Sequence, residues 1–387
     1  MVSMNELKQD MIIGMGYIGL DSGRLYRMRR GPKLIDAVAS GSTIIINDAA
    51  EGRPFRGFRV FGKSTQDGTP SVEKPIPIVS VGEGGSIKVD VTGQNLLKPD
   101  NRNVFCALHL RANTAITLMT NGRPSEGGNI KFVGADGSDT WFSIDKGQTR
   151  VCRPIKNDVK GFYELLEPSA GLNYMLAVGD VQDYKPYIDP QPLTLQTPNG
   201  LPGVPVSKDG NYTDADGQQW ICDEIDLGRG KYVQRVKKIN VKSLSGYNLS
   251  ENFGSIKVEG ILSTQSRVPV MSNRFAFGTS IKDDGTCFAY GDVIRLYYNL
   301  GSLENFNKWL TDNDVVVWYP LETPVERDLT PEEIAAYKAL RTYGPTTVVS
   351  NDAGAGMEVT YVADTKTYID NKIAALNKAV LDAVGGI

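Results

Sequence analysis

The sequence predicts a mainly β protein: tandem antiparallel β-sandwich domains, jelly-roll-like in type, followed by a short C-terminal α-helical coiled coil. Three observations predict it. Short apolar or alternating runs separated by Gly, Pro, Asn and Asp recur from Ile44 to Pro345. No helix of three turns can be placed between Asn95 and Pro190, and no βαβ rhythm occurs anywhere. Beyond Val362 the apolar spacing changes from period two to an alternation of fours and threes. A length of 387 residues favours two or three domains over one.

The first segment, 1–45, reads as an N-terminal docking segment. Gly14, Gly16 and Gly19 spell G-x-G-x-x-G, yet LDSGRLYRMRRGP follows, with Gly23 and Pro32 and no helical period. A dinucleotide fingerprint requires a helix there, so a glycine-rich turn is the expectation. Arg24, Arg27, Arg29, Arg30 and Lys33 form a basic cluster with little aromatic interleaving beyond Tyr26, which suits a solvated strand or an acidic protein partner.

Residues 46–94 read as a β-rich connector. Ile87, Val89 and Val91 alternate with Lys88 and Asp90, the pattern of a half-buried strand, while Pro70, Pro75 and Pro77 mark an edge or an extended connection. Residues 95–190 form one sandwich, carbohydrate-binding-module-like. Within it Trp141 and Phe142 are adjacent, so one faces the core and the other points outward. Residues 191–209, dense in proline, read as an extended linker.

A second β-rich domain, 210–345, carries two helical signals. Ser302 opens LENFNKWLTDN with Phe306, Trp309 and Leu310 on one face. Thr330, Pro331 and Glu333 spell a capping box for a helix that Gly344 would end. Residues 346–387 read as a strand and a trimerising helix. Val362, Ile369, Ile373, Leu376 and Val380 form its seam, and Ile or Leu at both core positions favours three strands.

Composition excludes much chemistry. Lys and Arg total 42 against 45 Asp and Glu, so there is no global attraction to nucleic acid or to an anionic membrane. The longest apolar window, Met11–Leu20, is about half a membrane span. The preceding MVSMNELKQD is net acidic, so the expectation is a chain made in the cytoplasm without a signal peptide. His109 is the only histidine; in ALHLRA it takes the opposite alternation from Leu108 and Leu110, as a strand histidine would. No G-x-S-x-G or H-E-x-x-H accompanies it. Cys106, Cys152, Cys222 and Cys287 have no C-x-x-C spacing and read as inert thiols.

Asp223, Glu224 and Asp226 beside Trp220 are the acids that glycoside hydrolysis would need, and only Glu224 and Asp226 share a strand face. Asp214, Asp216 and Gly217 lack the order of an EF-hand loop and read as a hairpin turn. The expectation is therefore no enzyme, no cofactor and no metal. For sugar stacking the candidates are Trp141, Tyr163, Tyr184 and Tyr187.

Several blocks carry a resemblance. GRPFRGFRVFGKSTQDGTPS (52–71), LPGVPVSKDGNYTDADGQQWICDEIDLGRGKYVQRV (201–236), YPLETPVERDLTPEEIAAY (319–337) and DAGAGMEVTYVADTKTYIDNKIAAL (352–376) follow one another in that order. So arranged, they resemble tail, baseplate and tail-fibre proteins of phages and prophages from Gram-positive gut bacteria. MLAVGDVQDYKPY (175–187) looks like the closing strand of carbohydrate-binding-type jelly rolls in phage tails. The resemblance covers most of the chain beyond Ala50. It implies a virion protein of the tail, homotrimeric, with other tail or baseplate proteins as partners and a host cell-surface glycan as a further one. It leaves open whether the chain itself binds the receptor.

Overall fold

The computed structural model describes residues 36–99, 102–166, 172–250, 252–264, 266–278, 283–344 and 346–384. The Gly14–Gly19 turn, the Arg24–Lys33 cluster and residues 1–35 of the docking segment lie outside them, whereas its last ten residues contribute strands to the central sheets. The fold is mainly β, built of several antiparallel sheets, with a C-terminal helix.

The chain enters through β1 (Asp36–Gly41), β2 (Thr43–Ile46), β3 (Gly57–Phe61), β4 (Ser64–Thr65), β5 (Val79–Ser80) and β6 (Gly85–Thr92). It then departs for β7 (Phe105–Leu110), β8 (Ala115–Thr120), β9 (Gly128–Gly134), β10 (Asp139–Ile144), β11 (Arg150–Pro154), β12 (Val159–Leu165) and β13 (Tyr174–Val178). It returns as β14 (Gln191–Thr197), β15 (Gly203–Val206), β16 (Tyr212–Thr213), β17 (Gln219–Cys222), β18 (Glu224–Asp226) and β19 (Lys231–Asn240). A second departure comprises β20 (Gly246–Asn248), β21 (Phe253–Lys257), β22 (Met271–Ser272), β23 (Ala276–Phe277), β24 (Thr286–Tyr290), β25 (Val293–Tyr297) and α1 (Leu303–Asp312). The chain closes with β26 (Val316–Asp328), α2 (Pro331–Ala339), β27 (Thr347–Asn351), β28 (Gly356–Val362) and α3 (Thr365–Val384).

A central sandwich pairs a seven-stranded sheet, β1-β28-β3-β18-β19-β26-β22, with a four-stranded one, β14-β6-β27-β2. Phe58, Val60, Ile225, Met357 and Val359 of the first pack against Ile44, Ile87, Val89, Val91, Leu193, Leu195 and Val349 of the second. The β6 alternation read from the sequence faces that core, with Lys88 outward. Each departure is an enlarged hairpin loop of this body. Gln191 of β14 pairs with Val91 of β6, and Asn240 of β19 pairs with Val316 of β26.

The first insert is a sandwich of β10-β9-β12-β7 over β11-β8-β13, filled by residues such as Phe132, Phe142, Phe162, Leu118 and Leu176. Buried Asn95 closes its root: its side chain donates to the Tyr174 and Lys185 carbonyls and accepts from the Leu97 amide. The second insert is a five-stranded sheet, β20-β21-β25-β24-β23, with Phe306 and Leu310 of α1 buried in its core.

Three sequence expectations change. The supposed linker contains β14 and β15, and Pro192 lies on an edge strand, where a missing N–H costs no ladder bond. Buried Leu193, Leu195 and Thr197 alternate with exposed Pro192, Thr194 and Gln196, a period-two signal hidden beneath the proline count. The supposed domain 210–345 divides, with β16–β19 and β26 outside the second insert. Val362 ends β28 and is 1% exposed, so it packs in the body and not on the helical seam.

Candidate functional site

The four-stranded sheet of the first insert turns one face to its core and the other outward. Cross-strand register decides what stands on the outer face. Trp141 of β10 lies opposite Lys131 of β9, Lys131 opposite Tyr163 of β12, and Tyr163 opposite Phe105 of β7. One row therefore crosses the whole sheet, spanning about 14 Å at the usual strand spacing. Trp141 is 52% exposed and Phe105 is 40% exposed, whereas Phe142, one residue on, is buried.

The row is internally braced. The Phe105 and Tyr163 ring centroids are 5.4 Å apart, and Lys131 Nζ stands 5.6 Å above the Tyr163 ring while bridging to Asp139 at 2.8 Å. Gly161 provides the seat for Phe105: a Cβ there would meet the ring at 2.3 Å, so only glycine lets the ring lie against the backbone. Arg153 donates to the Trp141 carbonyl at 3.2 Å. Beside the row, Ser143 Oγ donates to Asn129 Oδ1 at 2.6 Å. Flat rings with hydroxyl, amide, ammonium and carboxylate groups around them suit the C–H faces and hydroxyls of a sugar.

Of the four aromatic candidates from the sequence, Trp141 and Tyr163 join this row. Tyr184 packs beside Met119, Met175 and Ala177 on the insert's other sheet. Tyr187 lies at the insert's root near Asp90 and Asp189, where burial pushes its hydroxyl up to about 12. Sequence reasoning missed Phe105 and Lys131. A signal existed: β9 and β10 flank the four residues Ala135–Ser138, and counting outward from that turn sets Lys131 opposite Trp141.

No protein-family model and no curated protein matches this chain. The geometry alone therefore carries the site.

The remaining candidates have structural partners. Asp223 is buried and accepts from Tyr232 Oη and from the Arg235 and Val236 amides at 2.7–2.8 Å. Burial outweighs those donors and raises its carboxyl to about 6. Glu224 accepts from Arg235 and Asn211, and Asp226 accepts from the Arg229 amide. Asp214 accepts from the Asp216 and Gln218 amides, from Trp220 Nε1 and from Lys63 Nζ, which accounts for the DADG turn. Burial raises the Cys222 thiol to about 12 and the Cys287 thiol further. Among the described residues, no cluster of His, Cys, Asp and Glu is placed to hold a metal ion, and no helix is long and apolar enough to cross a membrane.

Four seam residues, Ile369, Ile373, Leu376 and Val380, fall on α3. The helix is capped by Asp364 Oδ1, which accepts from the Thr367 amide at 2.8 Å. Every side chain described from Asp370 onward is exposed, Ile373 at 52% and Val380 at 53%.

Proposed function

We propose that this chain is a structural component of a phage tail tip, baseplate or tail fibre, a homotrimer that docks on the tail and presents or connects to host-recognition modules. The observation that carries the self-association is the bare helix α3. It places Ile369, Ile373, Leu376 and Val380 at heptad spacing, and among the described residues the last three are exposed. Most helical stability in proteins comes from packing an apolar face, so this 20-residue helix calls for an apolar partner. Heptad spacing suits a coiled coil, and its three-fold state rests on the sequence resemblance to tail proteins. The tail setting rests on the sequence resemblance.

Light scattering at micromolar concentration tests the trimer. The full chain is expected at three times its monomer mass, and a chain ending at Asp364 at the monomer mass with its β content intact. A full-length monomer overturns the proposal. Tape-measure and holin or lysin genes on either side of this one support the tail setting; a neighbourhood without any phage gene removes it.

One observation favours a second reading, that the chain itself binds host cell-wall glycan. It is the exposed row of Trp141, Lys131, Tyr163 and Phe105. If the row binds sugar, Trp141→Ala lowers retention on host cell walls about five- to tenfold, since one stacked ring contributes about 1–1.5 kcal/mol. Unchanged retention by this variant, or none by the wild type, sinks that reading.

A further inference from the structure

We infer that the cleft between the central body and the second insert binds an anionic saccharide, a sugar ring carrying a carboxylate or phosphate. This site is separate from the exposed row and does not depend on the reading given to it. The cleft encloses about 1260 Å³, ample for a ligand of more than one ring. One side comes from β15 and β22, the other from β23, β24 and β25.

Arg267 and Arg295 line the cleft, and among the described residues that line it there is no aspartate or glutamate. In a chain of net charge −3, that is a local reversal of sign, and a concave positive surface concentrates anions. Both guanidinium groups are also held in place. Arg295 lies 4.9 Å from the Tyr290 ring centroid and 5.3 Å from that of Phe253, and Arg267 lies 5.0 Å from that of Phe288. Guanidinium groups held against rings lose little freedom when they grip an oxyanion, and their planar fork matches carboxylate and phosphate. Arg295 Nε is enclosed without a hydrogen-bond partner among the described residues, so the rings that hold this guanidinium leave part of its donor capacity unused.

Phe277, on edge strand β23, lines the cleft and is 44% exposed. Exposed aromatic surface beside a guanidinium calls for a ligand with an apolar face as well as an acid, which a sugar acid or sugar phosphate has and a simple inorganic anion lacks. Two arginines are too few to track a nucleic-acid backbone.

Calorimetric titration of the full chain tests this, with trigalacturonic acid, its methyl ester and glucose 6-phosphate as probes. At least one of the two acids is expected to bind, and which one does assigns carboxylate or phosphate. The neutral ester is expected to bind at least tenfold more weakly than trigalacturonic acid if that is the preferred acid, and not at all if glucose 6-phosphate is. Arg295→Gln and Phe277→Ala should each weaken the preferred acid about tenfold or more, while Trp141→Ala leaves it unchanged. Three results overturn the inference: no binding of either acid at millimolar concentration, an ester that binds as well as the acids, or wild-type affinity in both cleft variants. Phe277 is exposed, so its variant reports on the cleft even if the Arg295 variant fails to fold.

Discussion

His109 joins two bodies. It belongs to β7 of the first insert, yet its ring lies against Gly354 in the turn between β27 and β28 of the central sandwich. Gly354 has φ +69°, a conformation that favours glycine, and a Cβ there would crowd the imidazole at 3.2 Å from His109 Cε1. Burial holds the imidazole below its usual 6.5, against the Asp352 backbone hydrogen bond and carboxylate that favour the proton, with Lys160 adding repulsion. Nε2 is enclosed without a partner among the described residues. A depressed histidine pKa means that the unfolded chain takes up the proton first. Its contribution to stability is therefore complete above pH 6.5 and is lost as pH falls from 6.5 toward the lower folded value. Because the chain has one histidine, its Hε1 proton gives a single NMR signal. We expect that signal to titrate below 6.5, and His109→Gln to lose less stability between pH 7.5 and 5 than the wild type. A midpoint at or above 6.5 contradicts the packing described.

At the scale of elements, α2 shows how far local signals reach. Its start follows the sequence closely: Thr330 Oγ1 accepts from the Glu333 amide and Glu333 Oε2 accepts from the Thr330 amide. Its end comes at Ala339, before the Gly344 that the sequence suggests. There the Arg341 amide donates to Gln191 Oε1, the Gln191 side chain donates back to the Arg341 carbonyl, and Thr342 bonds to Ala50 and Arg53. Those partners are remote in sequence, so no local pattern foretells them. Glu333 has a second duty that the capping box does not reveal: its Oε1 accepts from the Gln196 amide on β14. Thr330→Ala should therefore cost about 1 kcal/mol in urea unfolding, an ordinary cap. Glu333→Ala should cost at least twice that, because it leaves two N–H groups without acceptors. Equal losses would remove the link from α2 to β14. The same contrast governs the exposed row. The Trp141–Phe142 alternation is a local property and was legible, and Lys131 was within reach of turn counting. Phe105 needed the pairing of β7 with β12, which spans 58 residues between Phe105 and Tyr163 and leaves no periodic trace.

At the scale of the whole molecule, the central sandwich is assembled from the two ends and the middle of the described chain. β1 pairs with β28, and β27 lies between β6 and β2 in the opposite sheet. Neither sheet is complete until β27 and β28 are in place, so the body depends on contacts of long sequence separation, which form slowly. The bare helix α3 begins two residues beyond β28, with Asp364 as its cap. The last strand of the body in chain order is thus directly coupled to the helix proposed to join three chains.

The adjacency of the strands flanking each insert has a consequence for descent. Thr92 and Gln191 end neighbouring strands, as do Asn240 and Val316. To the central sandwich, the first insert is only the contents of a turn. A recombination event with breakpoints near Thr92 and Gln191 can exchange that whole insert without altering a strand pair of the central sandwich, whereas one with breakpoints near Asn240 and Val316 also removes β22, which pairs with β26. At the first insert what must co-vary includes the Gly354 seat for His109, and Asp216, which the Arg111 guanidinium grips through two bonds of 2.6 Å. The second insert is tied more closely, with Gln66 donating to the Ser272 carbonyl and Arg274 to the Val72 carbonyl. In this architecture, the first insert can change as a cassette while the body that carries it stays the same.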